Sequence, residues 1–173
     1  MLPVLVVTVL AAVIHLAVFA VLDRPWGCGC GRVWSMPGTA ALNSRTLLDP
    51  YTALHLAMGA VLVVVVARLR PDLGRCALLA IVLASGTTWE VMENLPTSIH
   101  LFGYEAGDPL AYHGDSRLNA LADTGAAVLG AALAHRVSPG FVLALALGTE
   151  AAVSLWIGDG FTIAALRALR HAG

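Results

Sequence analysis

Apolar residues dominate five stretches of the chain, each about as long as a membrane-spanning helix. These stretches cover residues 2–22, 51–67, 76–92, 118–134 and 141–157. Crossing roughly 30 Å of hydrocarbon takes about 17–25 helical residues, and backbone in lipid must satisfy its hydrogen bonds internally. The pattern therefore predicts an all-α, polytopic membrane helix bundle of about five transmembrane helices.

The segments between and after these stretches complete the predicted architecture. Residues 23–50 form a loop rich in Trp, Gly and Cys, and residues 93–117 form a second polar loop. The tail 161–170 alternates apolar residues with arginines, which predicts a C-terminal interfacial amphipathic helix or an incomplete sixth span. The first stretch lacks a charged region before it and is long for a signal peptide, so we interpret it as a retained span.

Composition supports a membrane protein and narrows its partners. Of the 173 residues, 58% are hydrophobic and 12% are charged, whereas a soluble domain is about 25% charged. Residues 1–173 are therefore interpreted as a single integral-membrane domain whose main partner is the lipid bilayer. The formal charge is −1 without a basic block, so we expect no nucleic-acid partner.

The arginines predict an orientation. The short connections at one end of the predicted bundle carry Arg68, Arg70, Asp72, Arg75 and Arg136. The longer loops at the other end carry Arg24, Arg32 and Arg45, which are outnumbered there by acids. Arginine and lysine are enriched in cytoplasmic loops. We therefore expect this end to be cytoplasmic and the opposite end, with its longer loops, to face outward.

Ionisable and other polar residues at membrane depth gather at the opposite end. A charged side chain at the bilayer centre costs at least about 2.5–3.5 kcal/mol, so such residues usually face a bundle interior or wet cavity. Because they come from different helices at similar depth, they predict one shared polar pocket. The residues are His15, His55, Glu90, Glu93, Asn119, Asp123 and Glu150.

Helical spacing favours convergence of the acids. Glu90 and Glu93 are three residues apart and share a helix face, and Asp115, Asn119 and Asp123 follow at intervals of four. On a straight helix Asp115 and Asp123 would be separated by a rise of about 12 Å. We therefore expect Asp115 at the rim of the pocket and Asp123 deeper, as a ligand or an acid.

An imidazole among carboxylates is a metal-ligand set. His55, Glu90, Glu93 and Asp123 would suit a divalent Zn, Fe or Mn ion better than a thiolate-binding metal. A proton-sharing acid cluster and a hydrogen-bonded structural network are the alternatives. Cys28 and Cys30 have three interpretations of their own: a soft-metal site, a disulfide or a purely structural loop.

Three motifs resemble the signature of an uncharacterised family of small bacterial inner-membrane proteins. They are DPYTALH at 49–55, WEVMEN at 89–94 and YHGDSRLNALAD at 112–123. The family pattern is D-x-Y-x-x-x-H, W-E-x-x-E-N and Y-x-G-D-S-x-x-N-S-x-x-D, from which this chain departs at Ala120. More distantly, the order of the motif-bearing helices is similar to that of VanZ-like membrane proteins.

The resemblance implies a multi-pass protein of the bacterial inner membrane and directs attention to the motif residues. With the orientation above, the polar site would lie on the periplasmic side. Glu93, Asp115 and Asp123 are the candidate catalytic acids. The residues expected to support the ligands are Asp49, Tyr51, Trp89, Asn94, Tyr112, Ser116, Asn119 and Glu150.

These observations predict a membrane-embedded, metal-dependent enzyme of hydrolase or transferase type. Its substrate would be a lipid or lipid-linked group reached from one membrane face. A small-molecule or proton-coupled transporter is one alternative, which would need polar residues through the whole bundle. A non-catalytic membrane subunit or assembly factor is another, and small-residue helix faces would suit its packing in a homo-oligomer or membrane complex.

Overall fold

The computed structural model describes residues 2–39, 41–102 and 110–171, and this part of the chain forms seven helices and no β-strand. The predicted all-α class is confirmed. The five predicted stretches coincide with the five longest helices. The helices are α1 Leu2–Val21, α2 Pro50–Leu69, α3 Arg75–Glu93, α4 Pro96–Phe102, α5 Arg117–Ala134, α6 Pro139–Ile157 and α7 Phe161–His171.

Four of these helices are long and apolar enough to cross a membrane, which indicates a membrane protein. Their apolar windows are Val4–Val21, Pro50–Leu69, Arg75–Glu93 and Pro139–Ile157. By this measure, four of the roughly five predicted spans are found in the described part of the chain. Helix α5 has 18 residues, but Arg117, Asn119 and Asp123 make it more polar than the other four.

Local sequence explains where the central helices begin. Asp49 caps α2: its Oδ1 accepts hydrogen bonds from the backbone N–H groups of Tyr51 and Thr52, and Pro50 follows at the first helical position. Ser116 caps α5 in the same way, its Oγ accepting from the Asn119 N–H. Such caps satisfy donors that the first helical turn leaves free. They also fix the first turns of α2 and α5, which carry candidate site residues.

Helices α2 and α5 cross closely because glycines line their contact. A Cβ added at Gly59 would lie 1.9 Å from the backbone oxygen of Ala127, and one added at Gly130 would lie 1.9 Å from that of Leu56. Small residues allow helix backbones to approach closely in membrane proteins. Helix α5 also packs against α3, and α1 packs mainly on α3. The α2–α5 crossing is therefore the centre of the bundle.

Two shorter helices complete the end of the bundle that carries the acids. Helix α4 falls within the predicted loop 93–117, so the sequence analysis missed it. Helix α7 confirms a helix in the predicted tail, and its 11 residues extend only about 16 Å, too short to span a bilayer. Helix α7 packs against α4 and α6 and covers the site described next.

Candidate functional site

His55 lies between two acidic side chains from different helices. Its Nδ1 is 3.4 Å from Oε1 of Glu90 on α3, and its Nε2 is 3.9 Å from Oδ2 of Asp123 on α5. All three residues are buried. The predicted meeting of His55, Glu90 and Asp123 therefore occurs, with the two acids on opposite nitrogens of the ring.

Glu90 and Glu93 both lie close to His55. One ligand atom from each of His55, Glu90 and Glu93 lies within 4.8 Å of the others. Glu90 is 0% exposed, and neither of its carboxylate oxygens has a hydrogen-bond partner among the described residues. A buried carboxylate without a partner is costly unless it is protonated or binds a cation. This group is thus able to hold a metal ion or to share a proton.

Asp115 is held by side chains from three positions. Its Oδ2 accepts hydrogen bonds from the Asn94 amide and from the Tyr112 hydroxyl, the latter at 2.9 Å, and it also hydrogen bonds to Glu93. Its backbone N–H donates to Asn94 Oδ1 at 2.7 Å. Burial raises the pKa values of Asp115 and Tyr112 above their ordinary ranges. These bonds connect Asp115 to the end of α3.

The predicted rim position of Asp115 is wrong. Asp115 is only 2% exposed. The rise expected between Asp115 and Asp123 assumes one straight helix, but α5 begins at Arg117. Asp115 therefore lies in the preceding loop, which turns its carboxylate toward Asn94 and Glu93.

Asp49 joins the N-termini of α2 and α5. Its Oδ1 caps α2, and its Oδ2 accepts a hydrogen bond from Asn119 Nδ2 at 3.3 Å. The pKa of Asp49 is raised to about 7, mainly by burial and to a smaller extent by the nearby charge of Asp115. Asp49, Ser116 and Asn119 thus support the cluster by positioning the two helices that carry His55 and Asp123.

Three predicted supporting residues lie beside α7. Tyr51 donates its hydroxyl hydrogen bond to Asp159 Oδ2 at 3.0 Å, and Trp89 packs against Phe161 with ring centroids 5.6 Å apart. Glu150 Oε1 accepts from the Thr162 N–H at 2.8 Å. These contacts hold the α6–α7 junction in place. Glu150, expected to support the ligands, instead binds the first turn of α7.

The sequence analysis missed Arg24. Its guanidinium donates to the backbone oxygens of His113 and, at 2.7 Å, of Asn94. Gly114 has φ +85°, and a Cβ there would lie 2.1 Å from Cζ of Arg24. Gly114 was part of a quoted motif, but nothing local in the sequence associates it with Arg24, which is 90 positions earlier.

A cavity of about 370 Å³ adjoins the cluster. His55, Glu93, Asp115 and Asp123 line it on one side, and residues of α7 line it on another. Asn43 and Ser44 of the first loop also line the cavity. The sequence analysis missed them because a sequence does not distinguish a buried polar loop residue from a solvated one. Phe161 and Asp159, which belong to the segment GDGFT at 158–162, were missed too.

The first loop contains a disulfide between Cys28 and Cys30. This is one of the three interpretations that the sequence left open for these cysteines. The same loop reaches α5, where Arg117 stacks on the Trp26 ring at 4.9 Å. Ser116 also donates its backbone N–H to the Ser44 oxygen at 2.9 Å. The loop is thereby tied to the end of the bundle that carries the acids.

The fold and the cluster together define a helical membrane protein with an imidazole–carboxylate site buried at one end of its bundle. The chain belongs to the family described as "Protein of unknown function (DUF2585)", whose model matches residues 19–171. This membership confirms the prediction that the chain belongs to an uncharacterised family. The relatives described next are bacterial proteins.

Three relatives illustrate the family. The chain is 31% identical over 142 residues to a UPF0314 protein of Paracoccus denitrificans, covering 82% of this chain and 73% of that protein. It is 32% identical over 150 residues to a UPF0314 protein of Sphingopyxis alaskensis, covering 85% and 79%. It is 34% identical over 155 residues to the UPF0314 protein R03235 of Rhizobium meliloti, covering 87% and 77%. No solved structure matches the chain.

Proposed function

We propose that this protein is a membrane-embedded, metal-dependent enzyme, of hydrolase or transferase type, that acts on a lipid or lipid-linked group at one membrane face. The observation that carries the proposal is the group formed by His55, Glu90 and Glu93, whose ligand atoms lie within 4.8 Å of one another. Both oxygens of the buried Glu90 lack a hydrogen-bond partner among the described residues. A divalent cation would satisfy them.

The geometry favours three protein ligands and a separate supporting acid. His55 Nδ1, Glu90 and Glu93 would hold the ion, leaving a position open as in catalytic sites with three ligands. Asp123 lies at Nε2, on the other side of the ring. Ligating histidines commonly donate their second N–H to a carboxylate, which fixes the ring. We therefore assign Asp123, first predicted as a ligand, to orienting His55, and the mixed donor set suits Zn, Fe or Mn.

Asp115 is the acid best placed to move a proton. It hydrogen bonds to Glu93 and to the Tyr112 hydroxyl, and it lines the cavity with His55. A bound divalent ion would act as a Lewis acid and lower the pKa of a bound water. Asp115 would accept the proton from the attacking group, and the Tyr112 and Asn94 hydrogen bonds would hold its carboxylate in position.

Two features support a periplasmic site in the inner membrane. Arg68, Arg70, Arg75 and Arg136 lie at the end of the bundle away from the acids, and such residues favour the cytoplasmic side. The disulfide lies in the loop at the acidic end, and disulfides persist in oxidising compartments such as the periplasm. The similarity to VanZ-like proteins stays a prediction, as does assembly into a homo-oligomer or larger membrane complex.

The apolar half of the bundle favours an enzyme over a transporter. Beyond the cluster, toward the end that carries Arg68 and Arg136, the described core consists of Val63, Leu78, Val82, Ala131 and Val142 with neighbouring alanines. A proton relay or solute path would require polar groups at this depth. The described core contains none there, so the site opens toward one side.

Metal analysis of purified protein tests the proposal. Protein prepared with and without oxygen should contain close to one equivalent of Zn, Fe or Mn, measured by mass spectrometry of the elements. His55→Ala and Glu90→Gln should lose at least nine-tenths of it, because each removes one of three ligands. Asp123→Asn should retain metal with about 10–100-fold weaker affinity, as expected for a supporting carboxylate.

Glu150→Gln is the matched control. It makes the same chemical change at a glutamate that binds the first turn of α7 rather than the cluster, so its metal content should equal that of the wild type. The proposal would be wrong if the folded wild-type protein contained no metal in either preparation and Glu90→Gln had the same metal content. The cluster would then be a proton-sharing group or a structural network.

A further inference from the structure

The disulfide of the first loop closes a very short ring. Cys28 and Cys30 are two positions apart, so only Gly29 lies between them. A disulfide stabilises a fold mainly by restricting the unfolded chain, and this effect grows with the length of the loop that it closes. A bond between residues that are already neighbours therefore adds little stability, and breaking it costs the fold little.

Contacts that do not involve the cysteines hold the first loop in place. The backbone oxygens of Pro25 and Trp26 accept hydrogen bonds from the N–H groups of Arg117 at 2.9 Å and Leu118 at 3.1 Å, at the start of α5. Farther along the loop, the Asn43 amide donates to a backbone oxygen before α5 at 2.8 Å. We therefore expect the loop to keep its position when the disulfide is reduced.

The two cysteines differ in access. Cys30 is exposed and Cys28 is half-buried. A Cβ added at Gly29 or at Gly31 would meet no atom within 4 Å, so the space beside the ring is open. The rate of thiol–disulfide exchange depends on access to the sulfur that is attacked. Cys30 is therefore the sulfur that an external thiolate reaches more easily.

Cys28 is the better leaving group. Its Sγ accepts a hydrogen bond from the backbone N–H of Cys30 at 3.2 Å. A hydrogen bond to the charged form of a group favours that form, and a sulfur that forms a more stable thiolate leaves faster. Attack at Cys30 would release Cys28 as a thiolate beside a donor that is already in place.

We propose that the Cys28–Cys30 disulfide oxidises two thiols of a partner polypeptide to a disulfide. A thiolate of the partner attacks Sγ of Cys30, the bond between the cysteines breaks, and Cys28 leaves and takes up the proton of the attacking thiol. The partner's second thiolate then attacks the partner sulfur in the mixed disulfide, and Cys30 leaves and takes up the second proton. The partner loses two electrons, and the two cysteines gain them.

The surroundings of the ring favour a polypeptide over a small thiol. Trp26, Val33 and Trp34 lie within four positions of a cysteine in the same loop and are 58%, 61% and 47% exposed. Exposed apolar groups that lie together mark interaction sites. A second thiol in the same partner also completes the exchange at a high effective concentration. This activity goes beyond the proposed function, since no residue of the buried cluster takes part.

Single-turnover oxidation of a reduced peptide tests the inference. The full-length Cys76→Ser protein, in phosphatidylcholine nanodiscs, is mixed with a reduced peptide that contains two cysteines among apolar residues. About one equivalent of peptide disulfide should form per protein, measured by mass spectrometry after alkylation of the remaining thiols. Cys28→Ser and Cys30→Ser, made in the same background, should form none. Glutathione has a single thiol and should be oxidised at least about tenfold more slowly.

Glutathione also reports which sulfur is attacked. Rapid alkylation with N-ethylmaleimide traps the mixed disulfide, and mass spectrometry of proteolytic fragments then locates both groups. Glutathione should be found on Cys30 and the maleimide on Cys28. Glutathione found mainly on Cys28 would contradict the proposed order of attack.

Gly29→Ala and Gly27→Ala form a matched pair for the equilibrium. The ring holds Gly29 at φ +63°, a conformation that disfavours alanine, so Gly29→Ala should shift the equilibrium with glutathione about 5–30-fold toward the reduced protein. A Cβ at Gly27 has only ordinary contacts, the nearest at 3.7 Å, and Gly27→Ala should leave the equilibrium unchanged. Equal equilibria for the two variants would contradict a ring that constrains Gly29.

Two results would overturn the inference as a whole. One is the absence of peptide disulfide, or its formation to the same extent by Cys28→Ser. The other is loss of the fold on reduction, seen as a lower midpoint temperature of thermal unfolding, which would show that the disulfide is structural. Oxidation of glutathione as fast as the peptide would exclude the polypeptide partner. Metal content decides the proposed function separately, because Cys28→Ser and Cys30→Ser leave the cluster intact.

Discussion

Asp49 illustrates how one buried acid combines two roles. It caps α2 through Oδ1 and binds Asn119 of α5 through Oδ2. Both contacts need only the acceptor oxygens of a carboxyl group, which a protonated acid also has. Burial and the charge of Asp115 raise its pKa to about 7 from the ordinary 3.8. The acid therefore changes charge near neutral pH.

We expect Asp49 to make stability depend on pH. Between pH 4 and 7 the folded protein keeps a proton that the unfolded chain releases, so the free energy of unfolding should fall as pH rises through this window. Each pKa unit corresponds to about 1.36 kcal/mol, which predicts a loss of a few kcal/mol. Urea unfolding in detergent with a chelator present, repeated from pH 4 to 8, measures it.

Asp49→Asn should flatten this profile while retaining the oxygen that caps the helix. The free energy of unfolding of this variant should still depend on pH in part, because the pKa of Asp115 is also raised. Asp72→Asn on the exposed turn beside Arg70 is the control and should leave the profile unchanged. An equally steep profile for Asp49→Asn and the wild type would contradict the assigned pKa.

At the scale of elements, the α2–α5 crossing places the site. Gly59 follows His55 by one helical turn, and Ala127 follows Asp123 by one turn, so the closest backbone contact adjoins the His55–Asp123 pair. Neither helix is strongly amphipathic by sequence, because small and apolar residues surround both. The distance between the helices is set by the glycines at the contact.

Gly59→Ala should destabilise the protein and misplace the site. The added Cβ would lie 1.9 Å from a backbone oxygen of Ala127, so the helices must separate, and overpacking of this kind typically costs about 1–3 kcal/mol. The midpoint temperature of thermal unfolding in detergent should decrease, and so should the metal content.

Gly125→Ala on α5 is the matched control. A Cβ at Gly125 meets no atom within 4 Å, so this variant should gain about 0.5–1 kcal/mol from the better helix propensity of alanine. A Gly59→Ala variant as stable as Gly125→Ala would contradict the close crossing.

For the whole molecule, the short connections that carry Arg68, Arg70, Arg75 and Arg136 lie at the end of the bundle opposite to the disulfide. Asp72 lies in the exposed turn between α2 and α3, and Val33 is 61% exposed in the first loop. Cys76 is the free cysteine. Cysteines introduced at positions 72 and 33, in a Cys76→Ser background, therefore report the orientation of the two ends.

We expect a membrane-impermeant maleimide to label Val33→Cys in intact spheroplasts and to label Asp72→Cys only after lysis. The labelled fraction of Asp72→Cys should rise at least several-fold on lysis, because positive connections favour the cytoplasm. Labelling of Asp72→Cys in intact spheroplasts, with Val33→Cys protected, would place the site on the cytoplasmic side instead.

Several parts of the site could be predicted because they depend on local patterns. His55, Glu90 and Asp123 lie on separate apolar stretches at similar depth, and the cost of burying them separately predicts that they meet. Asp115 could not be placed, because its position depends on where α5 begins and on the bonds of Asn94. Arg24 could not be found, since its partners are distant in sequence.

The sequence by itself determined the five long helices and the concentration of ionisable groups at one end, because both follow from hydropathy and spacing along a short stretch of chain. Only the tertiary structure decided that Glu90 and Asp123 face opposite nitrogens of His55, that Asp115 is buried, and that α7 covers the cavity. These features depend on how each helix is rotated about its axis and on how the loops fold back. Contacts between distant segments determine the helix rotations and the loop paths, and local sequence patterns carry no information about those contacts.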